Sequence, residues 1–161
     1  MATTSKGLRY PLSSDHTRLW EHFEALAADV DLRYPQTFDS DGGFPVAVSG
    51  VTVESVLDRY TITAVPWARR FTLQGHVWTF STQTGQEQDV LWYAGGTVIG
   101  RARGNYVATI PITLAATGQH DLAANTAVVF EMRIARASGT GTMSTSVSSG
   151  LTATTCFATP S

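Results

Sequence analysis

The clearest hydrophobic periodicity in this chain lies near its N-terminus. Between residues 12 and 31 the apolar positions that repeat are Leu12, Leu19, Phe23, Leu26 and Val30. From Leu19 onward they are separated by alternating steps of four and three residues, which is the spacing of a heptad seam. Ser13 or Ser14 is a suitable N-cap, and Asp15 suits the positive end of a helix. The pattern predicts one helix over residues 12–31.

The heptad register assigns an interface to this helix. With Phe23 and Val30 at position a, Leu19 and Leu26 fall at d and His16 falls at the preceding a. We therefore predict that His16, Leu19, Phe23, Leu26 and Val30 face a partner. A helix of this length is marginal alone in water, so it needs either sister chains or the chain's own sheet. An aromatic residue at a fits a three-stranded bundle more easily than a tight dimer.

Beyond residue 50 the pattern changes to the two-residue alternation of strands. The predicted strands are 51–58, Tyr60–Val65, Phe71–Ser81, Asp89–Ala94, Thr97–Arg103, Asn105–Ala115, Ala127–Arg136 and two Thr/Ser-rich strands after a turn at Ser138–Gly141. Gly95–Gly96 is a good hairpin turn, and Gly75 suggests a bulge. About eight or nine strands without interleaved helices predict an antiparallel β-sandwich, most simply a jelly roll.

Two of these strands have the clearest inward faces. In Ala127–Arg136 the side chains of Val128, Phe130, Met132 and Ile134 should point into the core. In Asn105–Ala115 the same alternation puts Tyr106, Ala108, Ile110, Ile112 and Leu114 on one face. Pro111 suggests that this second strand is irregular or lies at an edge.

The patterns divide the chain into four segments. Residues 1–11 have no periodicity and are either a frayed tail or a docking peptide that orders on binding. Residues 12–31 are the helix. Residues 32–50 contain two prolines and the Gly42–Gly43 pair and are predicted to be a linker. Residues 51–161 are the β-sandwich head.

Composition narrows the class of protein. Of 161 residues, 43% are hydrophobic and only 15% are charged, with a net charge of −2, so we expect neither nucleic acid nor a membrane as a partner. The N-terminal region lacks a signal-peptide core, and no apolar run approaches the ~20 residues of a membrane span. Release by lysis, as part of a virus particle, fits a protein that works outside the cell. Cys156 is the single cysteine, which excludes an intrachain disulfide, and we expect it to be a small buried residue.

Catalytic and cofactor templates are absent from the sequence. There is no HExxH, paired CxxC, GxSxG, P-loop or dinucleotide-binding glycine pattern. The histidines are scattered, and Asp39–Ser40–Asp41–Gly42 lacks the further ligands of a calcium loop, which favours a solvated turn. We therefore predict a protein without enzymatic activity, cofactor or metal.

Aromatic and basic side chains leave glycan binding open. Trp67 and Trp92 could stack on sugar rings, while Arg101 and Arg103 could hold anionic groups of a glycan. The alternative is that the aromatic residues belong to the core or to a subunit interface. For the two arginines, their alternation also fits an exposed strand face.

Two motifs in the N-terminal sequence indicate a family resemblance. Lys6, Gly7, Leu8, Arg9, Tyr10 and Pro11 form a KGLRYP peptide, which precedes His22, Phe23, Leu26, Ala27, Asp29, Val30 and Asp31 at a fixed spacing. The first 35 or so residues resemble the start of minor tail or short fibre proteins of phages that infect actinobacteria. The rest is similar to the TNF/C1q-like jelly-roll heads of trimeric phage fibres.

The resemblance implies a homotrimeric spike of the virion. Residues 6–11 would anchor it to other virion proteins, the helix would set the threefold symmetry, and the heads would face outward toward the host surface. The family implies no catalysis. A capsid-attached head fibre or decoration protein is the alternative within this class, and a glycan-binding module or a cell-wall polysaccharide depolymerase is the alternative of another class.

Overall fold

The structure is a computed structural model that describes residues 2–3, 9–10, 19–31, 35–42, 45–146 and 152–160. Its elements are β1 (Ala2–Thr3), β2 (Arg9–Tyr10), α1 (Leu19–Asp31), β3 (Gln36–Phe38), β4 (Glu54–Ile62), β5 (Arg69–Ser81), β6 (Glu87–Ala94), β7 (Thr97–Asn105), β8 (Ile112–Leu122), β9 (Val128–Ser138), β10 (Met143–Ser146) and β11 (Ala153–Pro160).

Two antiparallel sheets make up the sandwich. One has the strand order β3-β11-β5-β8, and the other has the order β4-β9-β6-β7. β10 lies on the same side of β5 as β11, and the two pair with successive parts of it, from Ser81 down to Trp78 and from His76 down to Arg69. They therefore act as one interrupted strand. The resulting eight-stranded order is that of a jelly roll, so the predicted antiparallel jelly-roll sandwich is confirmed.

The core lies between the two sheets. Every second side chain of β5 points inward, including Phe71, Leu73 and Val77, and the facing positions of β9 are fully buried. The predicted inward set of β9 is confirmed: Phe130, Met132 and Ile134 are inaccessible to solvent and Val128 packs against the core.

The glycines of the sheets have two different roles. Gly95 and Gly96 form the β6–β7 turn with φ of 54° and 86°, a conformation that favours glycine, and the predicted hairpin is confirmed. Gly75 forms no bulge, because it pairs in register with Ala116 and Thr154. The bulge prediction was wrong; Gly75 instead lets the two sheets approach each other.

The strand predicted over Asn105–Ala115 was wrong in its boundaries. β7 already ends at Asn105, and β8 begins only at Ile112. Between them the chain turns, with the Ile110 amide donating to the Val107 carbonyl over 3.1 Å. Pro111 has no amide hydrogen for a ladder, which explains why the pairing resumes after it. Similarly, the two runs predicted over residues 51–65 form a single strand, β4, with a register shift between Val56 and Asp58.

Residues 32–50 are not only a linker, contrary to the prediction. β3 pairs with β11, and the ring of Phe38 packs 5.6 Å from that of Phe71. Farther on, the Thr145 amide donates to the Val48 carbonyl, which attaches this stretch to the edge of β10. The Asp41 carboxylate accepts hydrogen bonds from the amide and hydroxyl of Thr61. The sandwich therefore begins before the predicted boundary at residue 51.

The N-terminal segment contains α1 and a short ribbon. α1 covers Leu19–Asp31, within the helix predicted over 12–31, and residues 12–18 lie outside the described part. In β1 and β2, Ala2 pairs with Tyr10 and Thr3 pairs with Arg9. None of the described helical segments has the length and apolar character that crossing a membrane requires.

Candidate interaction surfaces

The predicted anchor and helix seam are described in part. Of the anchor, Arg9 and Tyr10 form β2, while Lys6, Gly7, Leu8 and Pro11 lie outside the described residues. Of the seam, Phe23 is 61% exposed and Val30 is 38% exposed, whereas Leu26 is half-buried. His16 and the side chain of Leu19 lie outside the described part. The single chain therefore leaves the apolar positions Phe23 and Val30 open to solvent.

The outer side of the β3-β11-β5-β8 sheet, which we call the neutral face, carries almost no charge. Its outward side chains alternate with the buried ones, and those without a formal charge are Thr37, Thr72, Gln74, His76, Trp78, Phe80, Thr113, Ala115, Thr117, Gln119, Ala153, Thr155, Phe157 and Thr159. Trp78 and Phe80 pack edge to face at 5.7 Å. The ion pair between Arg70 and Asp121 lies at one end of this face. A large surface without charge is typical of the buried centre of a protein interface.

A shallow depression occupies the middle of the neutral face. It has a volume of about 410 Å³ and is lined by Gln74, His76, Ala115, Thr117, Ala153 and Thr155, together with neighbouring backbone. Small side chains on β8 and β11 leave this space on either side of β5. The depression is lined mostly by short side chains and is open to one side, so it suits a side chain from another surface.

The outer side of the β4-β9-β6-β7 sheet, which we call the charged face, is the opposite in chemistry. Glu131 accepts hydrogen bonds from Arg59 and Arg133, and Arg133 also reaches Glu54 over 2.6 Å. Its guanidinium lies 4.5 Å from the ring centre of Tyr93. These residues form a continuous network across three strands, in which both carboxylates have a cationic partner.

A second part of the charged face surrounds Asp89. The Asp89 carboxylate is almost fully buried and is held by Arg103 over 2.7 and 2.9 Å and by Arg101 over 3.5 Å. The hydrogen bonds that Arg103 donates to Asp89, together with the negative charge of that carboxylate, raise the pKa of Arg103. Burial tends to raise the pKa of Glu131, but hydrogen bonds from Arg133 and Arg59 outweigh it and hold this pKa below its ordinary value. The charged face is therefore neutralised within one chain.

The residues predicted as glycan contacts are not brought together. Trp92 is fully buried and donates its indole N–H to the Ala116 carbonyl over 3.2 Å, so the prediction that it contacts a glycan was wrong. Its position in β6 points inward because Asp89, Leu91 and Tyr93 take the outer face. Trp67 is half-buried in the loop between β4 and β5. Arg101 and Arg103 are exposed on the strand face, as the alternative reading predicted, and they bind Asp89.

The polar groups inside the sandwich form a structural cluster. The Thr154 hydroxyl donates to the Asp58 carboxylate and lies 2.7 Å from the Tyr60 hydroxyl. Burial raises the pKa of Tyr60 to about 12 and that of the Cys156 thiol to about 12. The expectation of a buried Cys156 is confirmed, since 1% of it is exposed. In the described residues no group of three His, Cys, Asp or Glu side chains is placed to hold a metal ion.

Sequence reasoning missed the cluster of loops at one end of the sandwich, which we call the loop platform: residues 81–86, 106–111 and 138–142. The Gln83 side-chain carbonyl accepts hydrogen bonds from the amides of Thr140 and Gly141 over 2.6 and 2.8 Å. The Ala108 amide donates to the Thr84 hydroxyl, and the Thr109 amide donates to the Ser81 carbonyl. The partners of these hydrogen bonds are far apart in sequence, so no local sequence pattern predicts them.

Comparison with known proteins identifies no family for this chain. No protein-family model matches the chain, and no curated protein matches it. Among solved structures, the chain is similar to the one titled "Structure of Eiger TNF from S. frugiperda", with a TM-score of 0.46 and 8% sequence identity, over 79% of this chain and 92% of the other.

Proposed function

We propose that this protein is a non-enzymatic structural component of a phage virion, a short trimeric spike that docks through its N-terminal peptide. The observation that carries the assembly part of this proposal is the contrast between the two outer faces of the sandwich. The resemblance in the sequence of the first 35 residues supports the proposal that the protein belongs to a phage virion.

The contrast between the faces favours self-association through the neutral face. Charged side chains are depleted in the centre of protein interfaces, because burying them costs solvation energy. The ion pairs of the charged face stay in contact with water, so they lose little solvation energy there. Burying them against another copy would cost solvation energy, which disfavours association through this face. The neutral face carries the half-buried aromatic side chains Trp78, Phe80 and Phe157, and it contains a depression lined mostly by small residues. Two copies can therefore meet on this face without stripping water from unpaired charges.

The helix supports the same assembly. Phe23 and Val30 lie seven residues apart at the same heptad position, and both are exposed in the single chain. Packing three such seams together would remove these side chains from water. Each apolar side chain buried in this way contributes about 1.5–3 kcal/mol.

Chain continuity links the two surfaces. α1 ends at Asp31 and β3 begins at Gln36, a separation that spans at most ~18 Å when fully extended. β3 belongs to the sheet that carries the neutral face. The seam and the neutral face are thus close along the chain, and one threefold axis can serve both.

Removal of residues 2–11 tests the attachment. We expect the truncated chain to remain a folded oligomer of the same mass and to lose its occupancy on particles in a reconstitution with virions that lack the protein. The full-length variant Thr140→Ala, which is changed only in the loop platform, is the control and should attach to the particles as the wild type does. Wild-type occupancy by the truncated chain would contradict the anchor. Gold labelling of intact particles then separates a tail position from a neck or capsid position.

A further inference from the structure

The end of the core beneath the loop platform is built from polar side chains. Thr79 and Ser81 of β5, Gln88 of β6, and the neighbouring Gln86 and Tyr106 are all buried, with at most 1% of any of them exposed. None of the five carries a formal charge. Polar groups enclosed in this way are costly unless they find hydrogen-bond partners inside the protein.

Gln86 and Tyr106 form a cross-strand pair at this end of the sandwich. The Tyr106 amide donates to the Gln86 carbonyl over 3.0 Å, which continues the ladder of β6 and β7 beyond the pair of Glu87 with Asn105. Side chains of such a pair lie on the same face, with their Cβ atoms about 4.5–5.5 Å apart. Because Gln86 and Tyr106 are both buried, their side chains enter the polar end of the core side by side.

The loop 138–142 covers the Gln86 side chain. A Cβ on Gly141 would lie 2.7 Å from Gln86 Oε1, and a Cβ on Gly139 would lie 3.1 Å from Gln86 Cβ. The two glycines therefore allow the loop to lie directly on Gln86. Bulk solvent does not reach the amide, since neither of its polar atoms has exposed area.

The polar atoms at the tips of this pair have no hydrogen-bond partner within the described part of the chain. They are Nε2 and Oε1 of Gln86 and the hydroxyl oxygen of Tyr106. Rotating the amide by half a turn does not help, because both of its ends are unpartnered. Burial raises the pKa of Tyr106 to about 12 and the nearby Thr79 lowers it in part, so the phenol keeps its proton. The two hydroxyls do not form a hydrogen bond with each other.

The polar side chains next to this pair are already engaged. The single hydroxyl proton of Thr79 is shared between Gln88 Oε1 and the Ser144 carbonyl, over 3.0 and 2.9 Å. The side-chain carbonyl of Gln83 already accepts two backbone amides of the loop 138–142. The unpartnered atoms therefore need a partner that the chain itself does not supply.

We infer that Gln86 and Tyr106 form a binding site for an ordered internal water molecule. The ligand has to donate to Oε1 and accept from Nε2, so an anion or a cation would leave one end of the amide unpaired. It also has to be small, because the site is closed to solvent. Buried waters make about three hydrogen bonds to polar groups that lack other partners, which matches the three atoms present. Such a water would brace the β6–β7 ladder beneath the loop platform.

A crystal structure of the full-length chain tests the inference directly. We expect an ordered water at hydrogen-bond distance, about 2.7–3.2 Å, from the Gln86 amide and from the Tyr106 hydroxyl. Electron density without a water at these atoms, or side chains that turn to partners within the protein, would overturn the inference. The observation needs neither a particle nor a trimer, so its failure is distinct from a failure of the proposed function.

The sign of a stability change is an independent test. Tyr106→Phe removes one hydrogen bond of the water, so the equilibrium constant for unfolding in urea should rise about fivefold at a fixed protein concentration. In a dry site the same substitution would remove an unpartnered hydroxyl, and a constant that falls or stays unchanged would overturn the inference. Gln86→Met keeps the length of the side chain and should act in the same direction. Tyr93→Phe, on the charged face, is the matched control and should stay within about twofold of the wild type.

Discussion

Gly75 of β5 faces Met132 of β9 so closely that a Cβ on Gly75 would lie 2.5 Å from the Met132 sulfur. Met132 is fully buried, and Trp92 lies 3.2 Å from the same point. The two sheets of the sandwich therefore meet through a glycine at the centre of the core. The absence of a side chain at Gly75 sets the spacing of the sheets there.

Substitution of the close-packed glycines should destabilise the sandwich in a graded way. For Gly75→Ala we expect a loss of about 1–3 kcal/mol, because the Met132 side chain has to move within a packed core. Gly100→Ala should cost more, since its Cβ would lie 2.0 Å from the backbone oxygen of Thr117, which cannot swing aside. Urea unfolding monitored by tryptophan fluorescence measures both changes. Thr97→Ala, at an exposed position of β7 in the other sheet, is the control and should stay within about 0.5 kcal/mol of the wild type.

The network around Glu131 predicts a loss of stability in acid. The pKa of this carboxyl is lower in the folded chain than in the unfolded chain. The contribution of Glu131 to the free energy of unfolding is therefore fully present above the pKa of the unfolded chain, ~4.3. It disappears as the pH falls through the pKa of the folded chain. We expect Glu131→Gln to reduce the free energy of unfolding by about 1–2 kcal/mol at pH 7.

The pH dependence of that difference is the sharper measurement. The stability curves of the wild type and Glu131→Gln should converge as the pH drops below ~4, because protonation removes the same charge that the substitution removes. Curves that stay parallel from neutral pH into acid would show that the loss comes from packing and not from the ion pairs with Arg59 and Arg133.

The strained turn at Thr109 predicts a substitution that stabilises the chain. Its φ of 62° is readily adopted by glycine, so Thr109→Gly should relieve strain of about 1–3 kcal/mol, offset by about 0.5–1 kcal/mol of added freedom in the unfolded chain. We expect a net gain of up to about 2 kcal/mol in the free energy of unfolding by urea titration. Thr126→Gly, on an exposed loop away from the platform, should bring no gain. A lower stability for Thr109→Gly would mean that the turn is not strained.

The sequence predicted those features that depend on local alternation. The inward set of β9 and the Gly95–Gly96 hairpin follow from two-residue periodicity and from turn chemistry, and both were confirmed. The turn at Val107–Ile110 was missed because its apolar residues continue the alternation of the following strand. β3 was missed because three residues beside a proline carry too little pattern to distinguish a strand from a linker.

The surfaces were less accessible to sequence reasoning than the fold. The two-residue alternation predicted that Arg101 and Arg103 point outward. It could not predict that both form ion pairs with Asp89, which lies on the neighbouring strand. Trp92 looked suitable for a ligand because residue type alone does not reveal which side of β6 faces the core. The neutral and charged faces became visible only when the strand order was known, since each face combines residues from four distant segments.

Light scattering of the full-length chain tests most directly the claim that copies assemble through the neutral face. We expect a mass near three times 17.3 kDa for the wild type. Thr155→Arg places a charge in the depression of the neutral face and should yield the single-chain mass of 17.3 kDa with an unchanged circular dichroism spectrum. Val129→Arg places the same charge on the charged face and should remain a trimer. A wild type that is monomeric, or a trimer that Thr155→Arg leaves intact, would contradict the claim.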